Sequence, residues 1–273
     1  TTDGTKMYMV GNSANAVYQY TLSTGFDLST ASYDSVSFSV ASDGNPKGIA
    51  FNTDGTKMYV VGDSFNAVYQ YTLSTGFDLS TASYDSVSFS VASQDINPHD
   101  VAFNTDGTKM YMLGTNSDTI YQYTLSTGFD LSTASYDSIS FSVSSQDIFP
   151  TDITFNTDGT KMHIMGNTND RVYQYTLSTG FDLSTASYDS VSFLVTSQDG
   201  SPYGLTFNTD GTKMYMLGTN SDTVFQYSSS ILASYSITYP AAFKWPAGTA
   251  PDTPAAAEVD VLTFFTTDSG TTW

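Results

Sequence analysis

The side chains with the greatest capacity for chemistry in this sequence are aspartates, and they recur at fixed places. Asp stands in the strings NTDG, FDL, YDS and SQD over and over, beside two histidines, His99 and His163, and no cysteine. A recurring carboxylate can serve a metal, an acid–base pair or a turn. None of these strings has the D-x-D-x-D-G spacing of a calcium loop, and the TDG and YDS aspartates are expected to cap turns through their side-chain oxygens. The absence of cysteine removes disulfides, thiolate zinc sites and thiol nucleophiles. There is no G-x-S-x-G, no H-E-x-x-H and no P-loop, and Glu258 is the single glutamate. Aspartate pairs for glycoside hydrolysis could meet in space, but the sequence selects none. His163 stands where other copies have Tyr8, Tyr59, Tyr111 and Tyr215, which marks a substituted core or groove position. His99 follows Pro98 in a variable loop and is the better functional candidate. No cofactor or metal site is implied.

What positions these groups is a repeat. The string DGTKM begins at Asp3, Asp54, Asp106, Asp158 and Asp210, a period of 51 to 52 residues, and LSTGFDLSTASYDS is identical at Leu22, Leu73, Leu125 and Leu177. The unit from Pro46 to Asn97 reads as four strands, KGIAFN, KMYVVG, AVYQYTL and SVSFSV, separated by turn signals. The second is apolar almost throughout, as a strand covered on both faces should be. The fourth alternates Val87, Phe89 and Val91 with serines, as a half-exposed outer strand should. Four strands in about 50 residues, repeated in tandem, predict an all-β fold: a β-propeller of four-stranded blades, five of them visible.

Composition agrees and narrows the function. The 273 residues carry 27 acids and 8 bases, a net charge of −19, with 20 Tyr, 18 Phe and 2 Trp. Such charge disfavours nucleic acid or an anionic membrane as partner, and no apolar run is long enough to span a bilayer. Blade 1 begins inside its first turn and lacks an inner strand, which leaves ring closure open. The missing strand is expected from chain upstream, the sequence being read as a fragment. In blade 5 the fourth strand is expected at Ala233–Tyr239.

Differences among the copies point to a face. The NTDG turn and the long loop between strands three and four hardly vary. Between strands two and three the copies read NSANA, DSFNA, TNSDT, NTNDR and TNSDT; between blades they read DGNPKG, DINPHD, DIFPTD and DGSPYG. Strand alternation puts both variable sets on one side of the disc, which predicts a binding face on a rigid scaffold. Its candidates are Lys47, Asp63, Phe65, His99, Asp100, Asn116, Asp118, Phe149, Asp152, Asn169, Asp170, Arg171, Tyr203 and Asp222. Carboxylates and amides beside isolated rings suit hydroxyl-rich ligands such as carbohydrate. Near-identical blades suit multivalent binding better than catalysis.

The run PKGIAFNTDGTKMYVVGDSFNAVYQY resembles blades of the NHL/YVTN-type propellers, over 1–239. That family hosts lectins, scaffolds, lactonases and lyases, so the resemblance implies fold more than function. Residues 240–258 are rich in Pro and Ala and read as a linker or arm; 259–273 read as a strand and a hairpin cut off at Trp273. TTDSGTTW also fits the Asp-box, a structural turn motif of sialidase-type propellers. WPAGTAP followed by VLTFFTTDSGTTW resembles C-terminal segments of tailed-phage fibres and related virion proteins. This implies a virion-attached or extracellular protein, whose partner is a cell-surface glycan or another virion or surface protein. The function expected is a non-catalytic binding or structural propeller, a phage tail-fibre or secreted adhesin module. The alternative is a propeller-type lyase or glycoside hydrolase.

Overall fold

Aromatic and β-branched runs between glycine-containing turns make short antiparallel strands. The computed structural model describes residues 1–228 of the chain, in which eighteen such strands form five sheets. Blade 1 holds β1 (Lys6–Gly11), β2 (Ala16–Leu22) and β3 (Ala31–Ser39). Blade 2 holds β4 (Pro46–Phe51), β5 (Lys57–Gly62), β6 (Ala67–Leu73) and β7 (Ala82–Ser90). Blade 3 holds β8 (Pro98–Phe103), β9 (Lys109–Gly114), β10 (Thr119–Leu125) and β11 (Ala134–Ser142). Blade 4 holds β12 (Pro150–Phe155), β13 (Lys161–Gly166), β14 (Arg171–Leu177) and β15 (Ala186–Leu194). Blade 5 holds β16 (Pro202–Phe207), β17 (Lys213–Gly218) and β18 (Thr223–Ser228). The first strands of blades 2 to 5 stand side by side, β4 against β8, β8 against β12 and β12 against β16, around a central channel. The fold is the five-blade β-propeller that the repeat predicts. The strand expected at 233–239, the arm 240–258 and the hairpin 259–273 lie outside the described residues.

The second strand of a blade is buried on both faces: Met58, Tyr59, Val60 and Val61 in β5 are all fully inaccessible. Each hydrophobic cluster lies between successive blades. One joins Tyr59, Val61 and Val68 of blade 2 to Val101, Met110 and Met112 of blade 3; another joins Tyr111 and Leu113 to Ile153 and Ile164 of blade 4. Blade 1 starts at β1, which is half-buried along its whole length because no described strand covers its inner edge.

The TDG aspartate does what its string predicts, and the FDL aspartate, for which no role is expected, also caps a turn. Asp54 Oδ1 accepts from the Thr56 amide (2.9 Å) and hydroxyl (2.6 Å), closing the TDG turn. Asp78 caps the single 3-10 turn Leu79–Thr81 by accepting from Ser80 N. The YDS aspartate does not cap a turn. The fourth strand starts at Ala82, earlier than its serine–valine alternation implies, and Asp85 lies within it beside a β-bulge with Ser86 at φ 58°. Asp85 accepts from Lys57 Nζ at 2.8 Å and from Gln70 Nε2 at 2.8 Å. The same ion pair recurs as Lys6–Asp34, Lys109–Asp137 and Lys161–Asp189. Burial opposes ionisation of Asp34, but the bonds from Lys6, Gln19 and Thr21 overcome it and hold the carboxyl at about 2.

Successive blades are joined by one repeated pair of bonds. The hydroxyl of a tyrosine in the second strand donates to a phenylalanine carbonyl in the next blade: Tyr8 to Phe77, Tyr59 to Phe129 and Tyr111 to Phe181. A glutamine in the third strand accepts from the leucine amide two residues later: Leu79 N to Gln19, Leu131 N to Gln70 and Leu183 N to Gln122, at 2.8 to 2.9 Å. Blade 5 grips blade 1 in the same way, through Tyr215 to Phe26 O (2.6 Å) and Leu28 N to Gln226 (2.8 Å). The ring is thereby latched between its last and first blades.

The remaining seam, from blade 4 to blade 5, is different. After Tyr227 the chain reads SSSIL in place of LSTGFDL, so the Phe carbonyl and Leu amide have no counterpart in the sequence. At this seam His163 replaces the tyrosine, its Nε2 lying 3.4 Å from Gln174 Oε1 and its ring 4.6 Å from Phe207. Burial pushes His163 down to about 4, so it is neutral at physiological pH. The substituted core position expected for His163 is what the structure shows.

The phenylalanine that offers the carbonyl sits at φ near +62° with its ring on a TDG glycine; a Cβ on Gly107 would fall 2.3 Å from the Phe129 ring. Gly107→Ala therefore costs about 2–4 kcal/mol through a forced positive φ and overpacking. Tyr111→Phe, which leaves the Phe181 carbonyl without its donor, costs about 1–2 kcal/mol. Urea unfolding of the two variants checks both values and their order.

Candidate functional site

The connectors between blades and the turns between second and third strands meet on one face, tied together by a buried carboxylate. Asp95 accepts from Asn97 N (2.7 Å) in its own connector and from Ser117 N (3.0 Å) and Ser117 Oγ (2.5 Å) in the turn after β9. Asp43, Asp147 and Asp199 repeat the arrangement. A Cβ at Gly62, Gly114, Gly166 or Gly218 would lie 2.3–2.4 Å from these side chains, so glycine is obligatory there. The SQD aspartates are framework, and they hold the variable loops in place.

On that framework each first strand opens with a β-bulge. Pro46 pairs with Gly62 and Gly48 with Val61, so Lys47 is extra; His99, Thr151 and Tyr203 occupy the same extra position in β8, β12 and β16. A bulge turns its side chain out of the regular alternation. The four most divergent residues among near-identical copies thus sit at one geometrically special place. The sequence places them in loops; in the structure they begin the strands that line the channel.

Around His99 several candidates converge. Its ring lies 4.6 Å from Tyr203 and 5.8 Å, edge-on, from Phe149. Its Nδ1 is 2.9 Å from the Thr151 carbonyl. A carbonyl can only accept, so Nδ1 carries the proton and Nε2 presents a lone pair. Nε2 is buried with no hydrogen-bond partner among the described residues. Burial brings His99 down to about 4, and Lys47 adds to the effect, so the ring is neutral near pH 7. Lys47 Nζ reaches Asp63 at 3.5 Å, and Asn45 Nδ2 fixes Asp63 at 2.7 Å. Lys47, Thr151 and Tyr203 open onto a central cavity of about 1250 Å³.

Below this mouth Asp100 and Asp152 stand in the channel wall, at positions that are Gly48 and Gly204 in blades 2 and 5. Asp100 Oδ2 accepts from Ile153 N at 3.0 Å, and Asp152 is bonded by the Leu205 amide. Burial pushes Asp100 up to about 7 and raises Asp152 well above the usual carboxylate range, with the Asp100 charge adding to the second shift. The pair therefore holds a proton at neutral pH. Gly48 answers to Asp100, since a Cβ there would fall 2.2 Å from Asp100 Oδ1.

The other candidates are spread around the rim. Asp222 lines the cavity at blade 5. Phe65 is exposed in the turn after β5. The amide N–H of Asn116 is pinned by Asp95; Asn169 Nδ2 donates to Gln146 O at 2.9 Å, and Arg171 Nη1 to Ser192 Oγ at 3.0 Å. Asp118, Asp170 and Asp222 share φ 50° with the turn residues Asn15 (47°) and Asn66 (52°), so a left-handed turn accounts for their residue type. Sequence reasoning missed Ile96 and Ile148, exposed on the same face; the signal was D-I-x-P against D-G-x-P among the connectors. Among the described residues no cluster of three or more His, Asp or Glu side chains is placed to hold a metal ion, and no helix is long and apolar enough to cross a membrane.

No family model matches the chain, and no curated protein matches it. Solved structures do. The chain is similar to two proteins named putative 6-phosphogluconolactonase, from Bacteroides uniformis (TM-score 0.53, 11% identity) and Bacteroides fragilis (TM-score 0.52, 13% identity). The alignments cover 84% of this chain and 65% and 64% of those, so the chain spans under two thirds of their length. It is also similar to a chain of a nidogen/laminin complex, with TM-score 0.51 and 12% identity over 82% of this chain and 73% of that one. At such identity the likeness shows the propeller fold.

Asp118 carries a testable consequence. At the same place in blades 1 and 2 the amides of Asn15 and Asn66 donate to carbonyls, when oriented to do so. Asp118 Oδ1 is buried without a partner, and burial, then Asp147 and Asp95, raise its pKa. A raised carboxyl contributes stability below its unfolded value near 3.8 and loses it as pH rises through the folded value. Asp118→Asn, which supplies a donor and removes the charge, is expected to gain about 1 kcal/mol at pH 7. The gain shrinks as pH falls through the raised pKa of Asp118 and the carboxyl takes up its own proton. Thermal melts of both proteins from pH 4 to 8 check the size and its pH trend.

Proposed function

We propose that this chain is a non-catalytic binding propeller that recognises a hydroxyl-rich ligand, a surface glycan, at the channel mouth of its variable face. The observation that carries this reading is the bulge position. Four copies of one backbone geometry present Lys47, His99, Thr151 and Tyr203, while the surrounding framework repeats almost letter for letter. Tyr203 offers an aromatic platform and Lys47 a donor at the mouth, while His99 and Thr151 are buried behind them. The setting proposed, a phage tail-fibre or secreted adhesin module, rests on the resemblance of the segment at 245–273 to fibre ends.

A second reading follows from Asp100 and Asp152. An acid that keeps its proton near pH 7, beside a partner carboxylate in a cavity wall, is a general acid–base arrangement. It would suit a hydrolase of glycosides or, in keeping with the name of the two Bacteroides proteins, of a sugar lactone.

Glycan-array and whole-cell binding separates the two. Tyr203→Ala and Lys47→Ala are expected to weaken glycan binding by about 10-fold or more. Asp100→Asn is expected to change binding little. Binding to no glycan or cell surface by the intact chain overturns the first reading. Turnover of a glycoside or lactone that Asp100→Asn and Asp152→Asn abolish, with the fold intact by circular dichroism, establishes the second in its place.

A further inference from the structure

Three large apolar side chains stand exposed on the variable face outside the channel mouth: Phe65 at 67%, Ile96 at 62% and Ile148 at 64% relative accessibility. Phe65 lies in the turn after β5, Ile96 in the connector to blade 3 and Ile148 in the connector to blade 4. They follow one another around the rim. The Asn66 amide, oriented to donate, reaches Ile96 O at 2.7 Å and ties the Phe65 turn to the Ile96 connector.

The two isoleucines do nothing for the loops that carry them. The equivalent connectors have Gly44 and Gly200, and all four make the same bond, from the residue two after the aspartate: 2.9 Å at Asp43, 2.7 Å at Asp95, 2.9 Å at Asp147 and 2.7 Å at Asp199. Glycine and isoleucine are interchangeable for the fold, yet isoleucine stands in the two adjacent connectors that flank blade 3. Exposed apolar side chains repeated on one face with no structural task mark an interaction surface.

We propose that the Phe65–Ile96–Ile148 arc docks a protein partner presenting an apolar segment flanked by basic residues. Of the three, only Phe65 has a π face on which a sugar ring could stack; Ile96 and Ile148 have none, so most of the arc differs in chemistry from the mouth occupied by Tyr203. The charge around it selects the partner's sign. Asp170 lies on the turn bonded to the Ile148 connector and the chain as a whole is strongly acidic, whereas Lys47 is paired with Asp63 and Arg171 is bonded to Ser192. An apolar surface on an acidic protein is complemented by an apolar segment that carries basic residues. With a net charge of −19, a second copy of this chain is repelled.

The test uses the full chain and three synthetic peptides alternating leucine with lysine, with serine or with glutamate, read by fluorescence anisotropy. The leucine–lysine peptide is expected to bind best. It should bind F65S/I96G/I148G about 10-fold or more weakly, and Y203A as well as it binds the unsubstituted chain. Glycine at the two connector positions is safe for folding because Gly44 and Gly200 already occupy it. Equal binding to the triple variant and the parent overturns the proposal, since attraction would then be charge alone. A parent that dimerises in light scattering, with a monomeric triple variant, overturns it in favour of a second copy. Glycan binding lost in the triple variant and kept in Y203A overturns it by making the arc a sugar site. Failure of all glycans to bind, with the peptide result intact, sinks the channel-mouth reading and leaves the arc standing.

Discussion

The structure depends on a hydroxyl that crosses from each blade to the next. A propeller blade buries both faces of its inner strands, so polar groups in the seams must find partners without water. The tyrosine that donates across the seam meets a phenylalanine carbonyl that is held in place by a positive φ, by a ring seated on a glycine and by the glutamine that takes the following leucine amide. Remove any one of these and the others lose their geometry, which is why KMY strands, YQY strands, TDG turns and GFDL loops travel together in the sequence. The seam between blades 4 and 5 illustrates the coupling from the other side. Where the GFDL loop disappears from blade 5, the tyrosine of blade 4 becomes His163, whose ring nitrogen faces the blade 4 glutamine, Gln174.

The acidic charge follows from the same demand for acceptors. A carboxylate at NTDG closes a turn, one at FDL caps a 3-10 turn, one at YDS takes a lysine, a glutamine and a threonine, and one before each first strand gathers loop amides. Each is a short side chain whose two oxygens accept from several backbone or side-chain donors at once. Glutamate, one methylene longer, would misplace those oxygens, which accounts for a chain with aspartate almost throughout. Asp100, Asp118 and Asp152 are exceptions: each is raised in pKa by burial with too few donors, and each lies on the variable face.

The repeat made the architecture legible, because tandem copies show strand lengths, turns and strand order several times over. The alternation of sides across a blade likewise placed the variable turns and connectors together, and Asp43, Asp95, Asp147 and Asp199 physically join them. Two things were not legible. The start of the fourth strand was hidden because ASYD reads as loop: its aspartate sits at a bulge, and the pairing of Tyr84 with Tyr71 resumes only beyond it. The bulge at Lys47, His99, Thr151 and Tyr203 was hidden because a register shift has no fixed residue signature. Its trace was that the position after proline is the one that differs in every copy.

Divergence in a duplicated chain is informative only against the constraint on each position. Gly62 and its counterparts cannot change without striking a carboxylate, and Gly48 cannot change while Asp100 faces it. Gly44 can change, and in two copies it is isoleucine. The connectors therefore carry two linked choices, glycine with glycine in DGNPKG and DGSPYG, and isoleucine with aspartate in DINPHD and DIFPTD. The outer member of each choice faces solvent and the inner one faces the channel. A sector spanning blades 2 to 4 thus differs from the rest of the ring at both depths, which breaks the symmetry of the repeat on the one face where loops are free to differ. The paired changes place that asymmetry at the entries to blades 3 and 4, on the wall that carries Asp100 and Asp152.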